Sequence, residues 1–303
     1  MTIQVLSPGM FTTVQDLGRP GHGMLGVSRS GAADAIALRL GNRLVGNSEY
    51  AAALEMTLLG GTYLFSDGIT VAITGAECGL PMWQSFVVNP GETLKIGGMQ
   101  VGARCYLCIS GGIDVPLFAG SASTHVLSGL GGFEGRVLRK GDLLKIGQGG
   151  TFLKRFVKPE VLSRFAPRKT LRVTAGPQAE LFTAEALDRF YAKAYRVTDD
   201  SNRMGLRLAG ARIEAPFGGQ MITEGVSLGA IQIPTSGDPI ILFVDQQTTG
   251  GYPKIANVIT VDLPSVGQLR PRDEVQFELV DAALAQVLVR EQEEFLMSDE
   301  VLS

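Results

Sequence analysis

Short apolar segments, each bounded by glycine, proline or asparagine, recur through the first half of the chain and again after residue 170. Their length and their content of β-branched and aromatic residues are typical of β-strands. Segments 62–65 and 69–73, for example, flank Asp67 and Gly68, a pair that favours a β-hairpin turn. Because these strands do not alternate with helices, the pattern disfavours a doubly wound parallel sheet. We therefore expect a mainly β protein with a few helices.

Two similar domains are expected from the length and from a repeated phrase. The chain has 303 residues, with 39 Gly and 14 Pro, yet 45% of the residues are hydrophobic, which is typical of a globular rather than a disordered protein. Segments 91–96 and 141–146 share a Gly-acidic-x-Leu-Lys-Ile pattern that 272–277 echoes. The stretch 147–170 is rich in glycine and then basic, so we interpret it as a linker between domains 1–150 and 168–303.

Three helices interrupt the strands. Apolar residues at positions 36, 40 and 44 predict a helix over 34–45 that stops at Gly46 and Asn47. A second helix is predicted from Pro177 to about Ala194, and Asp281 is expected to cap a C-terminal helix. The second helix is expected to carry Leu181, Ala184, Leu187 and Tyr191 on one face, and the third is expected to face inward with Leu284, Leu288 and Phe295.

Charge and hydropathy exclude several classes of partner. Lys and Arg number 27 and Asp and Glu number 30, for a formal net charge of -3, so we expect no general attraction for nucleic acid or acidic lipid. The first residues lack a basic start followed by a long apolar core. The longest apolar runs, such as 240–244, fall far short of the ~18 residues that a membrane span needs. These features predict a soluble, cytoplasmic protein.

The cysteines and histidines do not predict a metal site. Cys105 and Cys108 have C-x-x-C spacing on a predicted strand, where residues three apart point to opposite faces. We therefore interpret them as buried thiols that neither pair nor share a metal. His22 and His125 are too few for a histidine-rich site.

No nucleotide or hydrolase motif with a known mechanism is present. The phosphate-binding G-x-x-x-x-G-K-[ST] and the nucleophile-elbow G-x-S-x-G patterns are absent. The glycine run at 129–135 lacks the strand-then-helix setting of a dinucleotide fingerprint. We interpret it as a tight or mobile loop, with a phosphate cradle as the alternative.

Four polar, glycine-containing segments are candidates for chemistry. Segment 12–19 has alternating polar groups, with an edge strand and turn as the alternative interpretation. In segment 28–34, the alternative to a role in chemistry is that Ser30 or Asp34 stabilises the start of the first helix. In segment 201–207, Arg203 can bind a carboxylate or phosphate through two hydrogen bonds, or staple a loop to the core.

The fourth segment is the most informative. Gln232 lies near the end of one predicted strand, and residues 245–252 follow the apolar strand 240–244. We expect a dense cluster of hydrogen-bonding groups at the mouth of a barrel. Gly250 and Gly251 let the backbone approach a ligand closely, although a purely structural turn is the alternative.

Together these segments resemble one family. The motifs T-T-V-Q-D-x-G-R, S-G-A-x-D-x-x-A-L-R-x-x-N-x-L-V-G-N, S-N-R-M-G-x-R-L and D-x-Q-T-T-G-G-Y-P-x-I-A occur at 12–19, 30–47, 201–208 and 245–256. The chain resembles the biotin-dependent carboxyltransferase family, which includes allophanate hydrolase subunit 2, the C subunit of 5-oxoprolinase and KipA-like proteins. Ala33 departs from the Met or Leu expected there. The resemblance implies two cyclophilin-like β-barrel domains.

The resemblance also implies an enzyme subunit that works with partners. The expected 5-oxoprolinase complex contains this chain, a KipI-like B subunit and an A subunit, and it uses ATP to hydrolyse the lactam 5-oxo-L-proline to L-glutamate. One alternative is a carboxyltransferase subunit of a biotin-dependent urea or amide carboxylase, with carboxybiotin as the co-substrate. Another is a KipA-like protein without catalytic activity that binds a KipI-like regulator. Whether ATP binds this chain stays open, and no biotin-attachment lysine is present.

The same resemblance and the density of donors suggest site residues. Groups that donate to the amide oxygen, or otherwise act in catalysis, are Asp245, Gln247, Thr248, Thr249 and Tyr252. Substrate-binding candidates are Asp16, Arg19, Asp34, Asn202, Arg203, Gln232, Gly250 and Gly251. Asp245 is expected to orient or deprotonate the amide or a water, while Arg203 and Arg19 hold a carboxylate or phosphate. No metal is predicted on this chain.

Overall fold

The computed structural model describes residues 1–150 and 154–303. The strands of the described residues are β1 (Thr2–Ser7), β2 (Phe11–Gln15), β3 (Ala53–Thr57), β4 (Thr62–Phe65), β5 (Ile69–Glu77), β6 (Ser85–Val88), β7 (Thr93–Lys95), β8 (Val101–Ile109), β9 (Ile113–Asp114), β10 (Leu143–Ile146), β11 (Thr170–Ala175), β12 (Tyr195–Val197), β13 (Gly205–Ala209), β14 (Glu224–Gly225), β15 (Ala230–Gln232), β16 (Ile240–Leu242), β17 (Thr249–Gly250), β18 (Lys254–Val258) and β19 (Glu274–Leu279). The helices are α1 (Ala35–Leu44), α2 (Pro159–Arg164), α3 (Ala184–Ala192), α4 (Leu263–Gln268) and α5 (Ala282–Met297). The prediction of a mainly β fold with few helices is confirmed.

The chain divides into two compact units. The first contains Met1–Pro20, Ser30–Ala166 and Asp299–Ser303, and the second contains Gly21–Arg29 and Pro167–Ser298. These boundaries differ from the predicted domains 1–150 and 168–303 because two short segments are held by the other half of the sequence. The Ser28 hydroxyl donates to the Gln246 carbonyl at 2.6 Å, and Phe156 exchanges backbone hydrogen bonds of 2.9 and 3.0 Å with Ser303.

The segment predicted as a linker is partly structured. Within 147–170, α2 begins at Pro159 with its proline in the first turn, a position that suits a residue without an N–H. Residues 151–153 lie outside the described part of the chain.

In the first unit the strands form two antiparallel five-stranded sheets. Their orders are β7-β4-β1-β10-β9 and β2-β3-β8-β5-β6. Ile3 and Val5 of one sheet and Leu54 and Met56 of the other are fully buried in a single hydrophobic cluster. Helix α1 packs on β5 and β8 of the second sheet, so that sheet is buried on both of its faces.

Helix α1 and the two cysteines match their predictions. Asp34 caps the helix by accepting a 3.0 Å hydrogen bond from the Ala37 N–H. Cys105 belongs to the hydrophobic cluster between the sheets, whereas the Cys108 thiol faces α1 and donates to the Leu38 carbonyl. A methyl group on Gly41 would lie 2.5 Å from that sulfur, so the helix approaches the strand this closely because residue 41 has no side chain. Both thiols are free and buried.

The second unit is built around a closed barrel of seven strands in the order β11-β18-β15-β16-β13-β12-β19. Alternate residues of each strand, such as Val173, Leu206, Ile231 and Ile241, are buried in its interior. The β11–β19 pair is parallel and the other pairs are antiparallel. Phe190 of α3 stacks on Phe277 of β19 with ring centroids 4.7 Å apart.

The predicted second helix is wrong in its start and in its buried face. A short 3-10 helix occupies Ala179–Leu181, and α3 begins only after Thr183, whose hydroxyl caps it by accepting from the Ala186 N–H at 3.2 Å. The buried residues of α3 are Ala186 and Phe190, because Phe190 packs against the aromatic residues of the barrel. Of the residues predicted to share one apolar face, Leu181 and Ala184 are exposed, and Leu187 and Tyr191 are at most half-buried.

The C-terminal helix begins as predicted but buries different residues. The Asp281 carboxylate accepts from the Leu284 N–H at 2.7 Å. Leu296 is the buried residue of α5, while Leu284, which was expected to face inward, is exposed. Leu288 and Phe295 are partly buried. None of the helices in the described ranges is long and apolar enough to cross a membrane.

Candidate functional site

A cavity lies on the outer wall of the second unit's barrel. Arg207 pairs in register with Ile240, and Ile240 pairs in register with Gln232, across β13, β16 and β15. Directly opposed residues share one face of a sheet. Their neighbours Leu206 and Ile241 also pair with each other and point into the barrel core. Arg207, Ile240 and Gln232 therefore form a row on the outward face.

Four of the residues predicted from sequence line this cavity, which has a volume of about 420 Å³. They are Asn202, Gln232, Gln247 and Tyr252. The cluster was expected at the mouth of a barrel, but the strand register places it against the outer wall. Arg207 also lines the cavity, and among the described lining residues it is the one with a formal charge.

Gln232 is the most unusual residue of the cavity. It is 1% exposed, and its Nε2 has no hydrogen-bond partner among the described residues. A buried donor left unpaired costs about 1–3 kcal/mol. The Gln232 Nε2 is thus already removed from water, and it can donate a hydrogen bond to an acceptor atom of a ligand.

The two predicted glycines allow a close approach of backbone to side chains. A methyl group on Gly250 would lie 2.6 Å from Nε2 of Gln232, and one on Gly251 would lie 3.1 Å from the Met221 carbonyl oxygen. Neither glycine has a positive φ, so space rather than backbone conformation requires glycine here. A hydrogen bond of 2.9 Å from the Met221 N–H to the Gly251 carbonyl fixes the position of the turn at these two glycines.

Thr248 and Thr249 adjoin the cavity without lining it. Thr249 belongs to β17, which pairs with β14, and the Thr248 carbonyl accepts from the Val226 N–H at 3.1 Å. Their predicted catalytic roles stay predictions.

Arg203 and Asp245 are brought together, but away from the cavity lining. Arg203 Nε and Nη2 donate to the two carboxylate oxygens at 2.7 and 3.1 Å, and both side chains are more than nine-tenths buried. The Asp245 N–H also donates to the Arg203 carbonyl at 2.9 Å. This geometry favours the stapling alternative for Arg203, and the role of Asp245 as a base stays a prediction.

Lys254 is a buried cation that the sequence analysis did not single out. It pairs in register with Gln232 across β15 and β18, and its Nζ lies 2.5 Å from Oε1 of Glu224. Gln178 Nε2 donates to the same carboxylate oxygen at 2.8 Å. The ammonium and this amide together lower the pKa of Glu224 below its ordinary value. The sequence does contain a signal for this pair. A lysine among the apolar residues of a strand needs a partner of opposite charge if it is buried, because an unpaired lysine is rarely buried.

Asp16, Arg19 and Asp34 belong to the first unit, and each has structural partners there. The Asp16 carboxylate accepts from the Ser121 and Ser123 hydroxyls at 2.6 and 2.5 Å, which fixes that segment. Arg19 is buried and donates to the Ser123 carbonyl. Asp34 caps α1, as described above. Their substrate-binding roles stay predictions.

No group of three or more His, Cys, Asp or Glu side chains that could hold a metal occurs within residues 1–150 and 154–303.

Comparison with known proteins decides the family. The model of the carboxyltransferase domain, subdomain A and B, matches residues 25–279. The chain belongs to this carboxyltransferase family. The resemblance seen in the sequence motifs is thereby confirmed.

Named relatives of this carboxyltransferase-family chain fall into two groups. It is 36% identical to the C subunit of 5-oxoprolinase from Escherichia coli over 93% of this chain and 94% of that protein. It is 38% identical to urea amidolyase of Lachancea kluyveri over 96% of this chain but 17% of that protein. The crystal structure of the K. lactis urea amidolyase superposes with a TM-score of 0.92 at 32% identity, covering 98% of this chain and 20% of that chain.

Proposed function

We propose that this chain is a subunit of an ATP-dependent 5-oxoprolinase, and that its outer-wall cavity binds 5-oxo-L-proline. The observation that carries the proposal is the set of groups in the cavity: one guanidinium, from Arg207, beside the amides of Asn202, Gln232 and Gln247. The substrate has one carboxylate and one lactam amide. A guanidinium binds a carboxylate through charge-assisted hydrogen bonds, and side-chain amides can donate to and accept from the lactam.

The reaction gives Gln232 a defined task. Opening a lactam requires that amide resonance be broken, and the carbonyl oxygen gains negative charge or a phosphoryl group as this happens. A fixed donor aimed at such an oxygen is worth ~3 kcal/mol of barrier lowering. Gln232 Nε2 is already out of water and without a partner among the described residues, so it can donate to that oxygen without first breaking another hydrogen bond.

The name of one relative, the C subunit of 5-oxoprolinase, supports a complex with partner chains. We propose that the working complex also contains a KipI-like B subunit and an A subunit as partner chains.

ATP is assigned to the complex and not to this cavity. A triphosphate carries several negative charges, and Arg207 is the one formal cation among the described residues of the lining. The residues of this cavity therefore bind and orient the lactam, and the phosphoryl donor is held elsewhere in the complex.

A second candidate, carboxyl transfer to urea or another amide, is favoured by the close structural match to the K. lactis urea amidolyase. Carboxybiotin is the co-substrate in that case. Urea has no carboxylate, so Arg207 has no charged partner on the acceptor. The two candidates thus differ in what they require of Arg207.

The test uses the assembled complex. The chain is co-purified with its partner chains, and ATP-dependent release of glutamate from 5-oxo-L-proline is measured with and without it. We expect activity only with the chain present. In Arg207→Gln, loss of a hydrogen bond to a charged group should raise KM for 5-oxoproline ~10-fold or more and change kcat little.

Arg196→Gln is the matched control, because Arg196 is an exposed arginine on β12 of the same barrel and does not line the cavity. Unchanged glutamate release without the chain, or an unchanged KM in Arg207→Gln, contradicts the proposal. Substrate-dependent turnover of carboxybiotin with urea, and none of 5-oxoproline, establishes the second candidate instead.

A further inference from the structure

The glycine run at 129–135 forms one wall of a cavity of about 730 Å³ in the first unit. The backbone N–H groups of Gly131, Gly132, Phe133 and Glu134 have no acceptor among the described residues. Gly132 is itself buried. Four consecutive N–H groups without an acceptor among the described residues, in residues that line a cavity, are available to bind a ligand.

The conformation of the turn is equally unusual. Gly131 and Gly132 have φ angles of 65° and 57°, and Glu134 has a φ of 54° although it has a side chain. Left-handed residues other than glycine are strained, and such residues cluster at functional sites. Consecutive N–H groups in a turn of this kind form a concavity that binds anions.

Charged side chains of both signs lie around the turn. The Arg19 guanidinium lies against it, since a methyl group on Gly131 would be 2.9 Å from Nη2 of Arg19. The Glu134 carboxylate is bound by Arg136 at 2.6 Å. Asp114, which lines the cavity, pairs in register with Lys145, which lines it too. Arg136 also binds Asp142 at 2.8 Å, and Arg19 and Lys145 are further cations beside the turn and the cavity.

We propose that this cavity is an oxyanion site, in which the turn N–H groups bind a phosphoryl or carboxylate group of a small molecule. The rings of Phe118 and Phe133, which line the same cavity, contact the apolar body of that molecule. The volume lies within the range of about 300–1,000 Å³ that is usual for small-molecule sites. The site is formed by residues of the first unit and does not rest on the proposed function.

Amide NMR on the full chain tests the proposal. Inorganic phosphate, acetate, ATP and 5-oxo-L-proline are titrated separately at constant ionic strength. We expect at least one of these oxyanions to shift the amide resonances of residues 131–134 with saturable behaviour. Stronger binding of phosphate and ATP assigns a phosphoryl group, and stronger binding of acetate or 5-oxoproline assigns a carboxylate.

A charge-reversal variant supplies the second measurement. Lys145 is exposed at the cavity, so Lys145→Glu should fold normally. Because it replaces an attractive by a repulsive charge, it should weaken the affinity of the best-binding anion ~5–10-fold. Lys95→Glu, an equally exposed lysine on β7 of the same sheet, should leave it unchanged.

Two results overturn the proposal. One is the absence of saturable shifts at residues 131–134 with all four anions. The other is an equal loss of affinity in Lys145→Glu and Lys95→Glu, because that would show general surface electrostatics and not a site.

Discussion

The Arg203–Asp245 ion pair is buried in the second unit, and its two hydrogen bonds of 2.7 and 3.1 Å compensate both charges. Removing one partner from such a pair leaves a charge in a poorly solvated place, which costs about 3–5 kcal/mol. Replacing both partners with apolar residues of similar volume is often close to neutral. The residue that sequence analysis proposed as a catalytic base is therefore also a structural one.

We predict that Asp245→Asn lowers the free energy of unfolding by ~3 kcal/mol. The double variant Arg203→Met/Asp245→Leu should be less destabilised than the sum of its single variants. Urea unfolding of the wild type, Arg203→Met, Asp245→Leu and the double variant measures this coupling, and strictly additive effects would contradict it. If the folded double variant keeps the kcat of the complex, Asp245 is not the base.

At the scale of elements, one strand of the β14–β17 pair lies against the Gln232 amide. Gly250 of β17 lies against Nε2 of Gln232, whereas a methyl group on Gly225 of β14 would meet nothing within 4 Å. The two glycines lie in paired strands, and neither has a positive φ. The two glycines therefore differ mainly in the space beside their Cα atoms, which the Gln232 amide occupies at Gly250 and no atom of the described residues occupies at Gly225.

We predict that Gly250→Ala displaces the Gln232 amide and lowers kcat/KM of the assembled complex ~100-fold, the loss typical when one oxyanion donor is removed. Gly225→Ala is the matched control and should keep near-normal activity. Steady-state kinetics compare kcat/KM of the two variants. Thermal unfolding confirms that both variants fold. Equal activities in the two variants would remove Gln232 from the proposed site.

The same β14 strand provides a pH dependence through Glu224. The Lys254 ammonium lowers the pKa of this carboxyl in the folded state. A carboxyl with a lowered folded pKa stabilises the fold above its unfolded pKa, and this stabilisation is lost as the pH falls through the folded pKa. We predict that Glu224→Gln is less stable than the wild type at neutral pH and that the difference shrinks below about pH 4.

Denaturant unfolding at a series of pH values measures this difference. Glu274→Gln, at an exposed position on β19, serves as the control. A gap between wild type and Glu224→Gln that widens as the pH falls would show that the Lys254–Glu224 pair does not stabilise the fold.

Local signals explain which elements were predictable. Helix α1 has a capping aspartate before it and Gly46, with a φ of 76°, after it, and both signals can be read in the sequence. The buried face of α3 is set by contacts of Phe190 with the barrel, which lie far away in sequence. An amphipathic pattern alone therefore selected the wrong residues.

The candidate site shows the same limit. Its donor-rich segments could be recognised by composition and motif, and Asn202, Gln232, Gln247 and Tyr252 do meet in one cavity. Its position on the outer wall depends on the pairing of β13, β16 and β15, which no local pattern specifies. Arg207 alternates with leucines on a strand, a pattern typical of a solvent-facing position, so the local pattern does not single it out.

At the scale of the whole molecule, the two units are not consecutive in sequence. Residues 21–29 belong to the second unit and residues 299–303 to the first. Val301 is fully buried, and Val157 and Leu302 form a β-bridge. The last residues of the chain thus stabilise a unit whose other residues precede position 167.

This exchange predicts that the stability of the first unit depends on a residue near the C-terminus. Val301→Ala removes two buried methyl groups and should destabilise the first unit by ~2 kcal/mol. Native-state hydrogen exchange should show faster exchange of the Phe156 amide, which donates to Ser303, while the barrel amides of Val173 and Ile241 keep their protection. Val287→Ala, on the partly exposed face of α5, should stay within about 0.5 kcal/mol of the wild type. Equal loss of protection in the barrel would mean that the two units unfold as one, and that the short terminal segment does not act on the first unit alone.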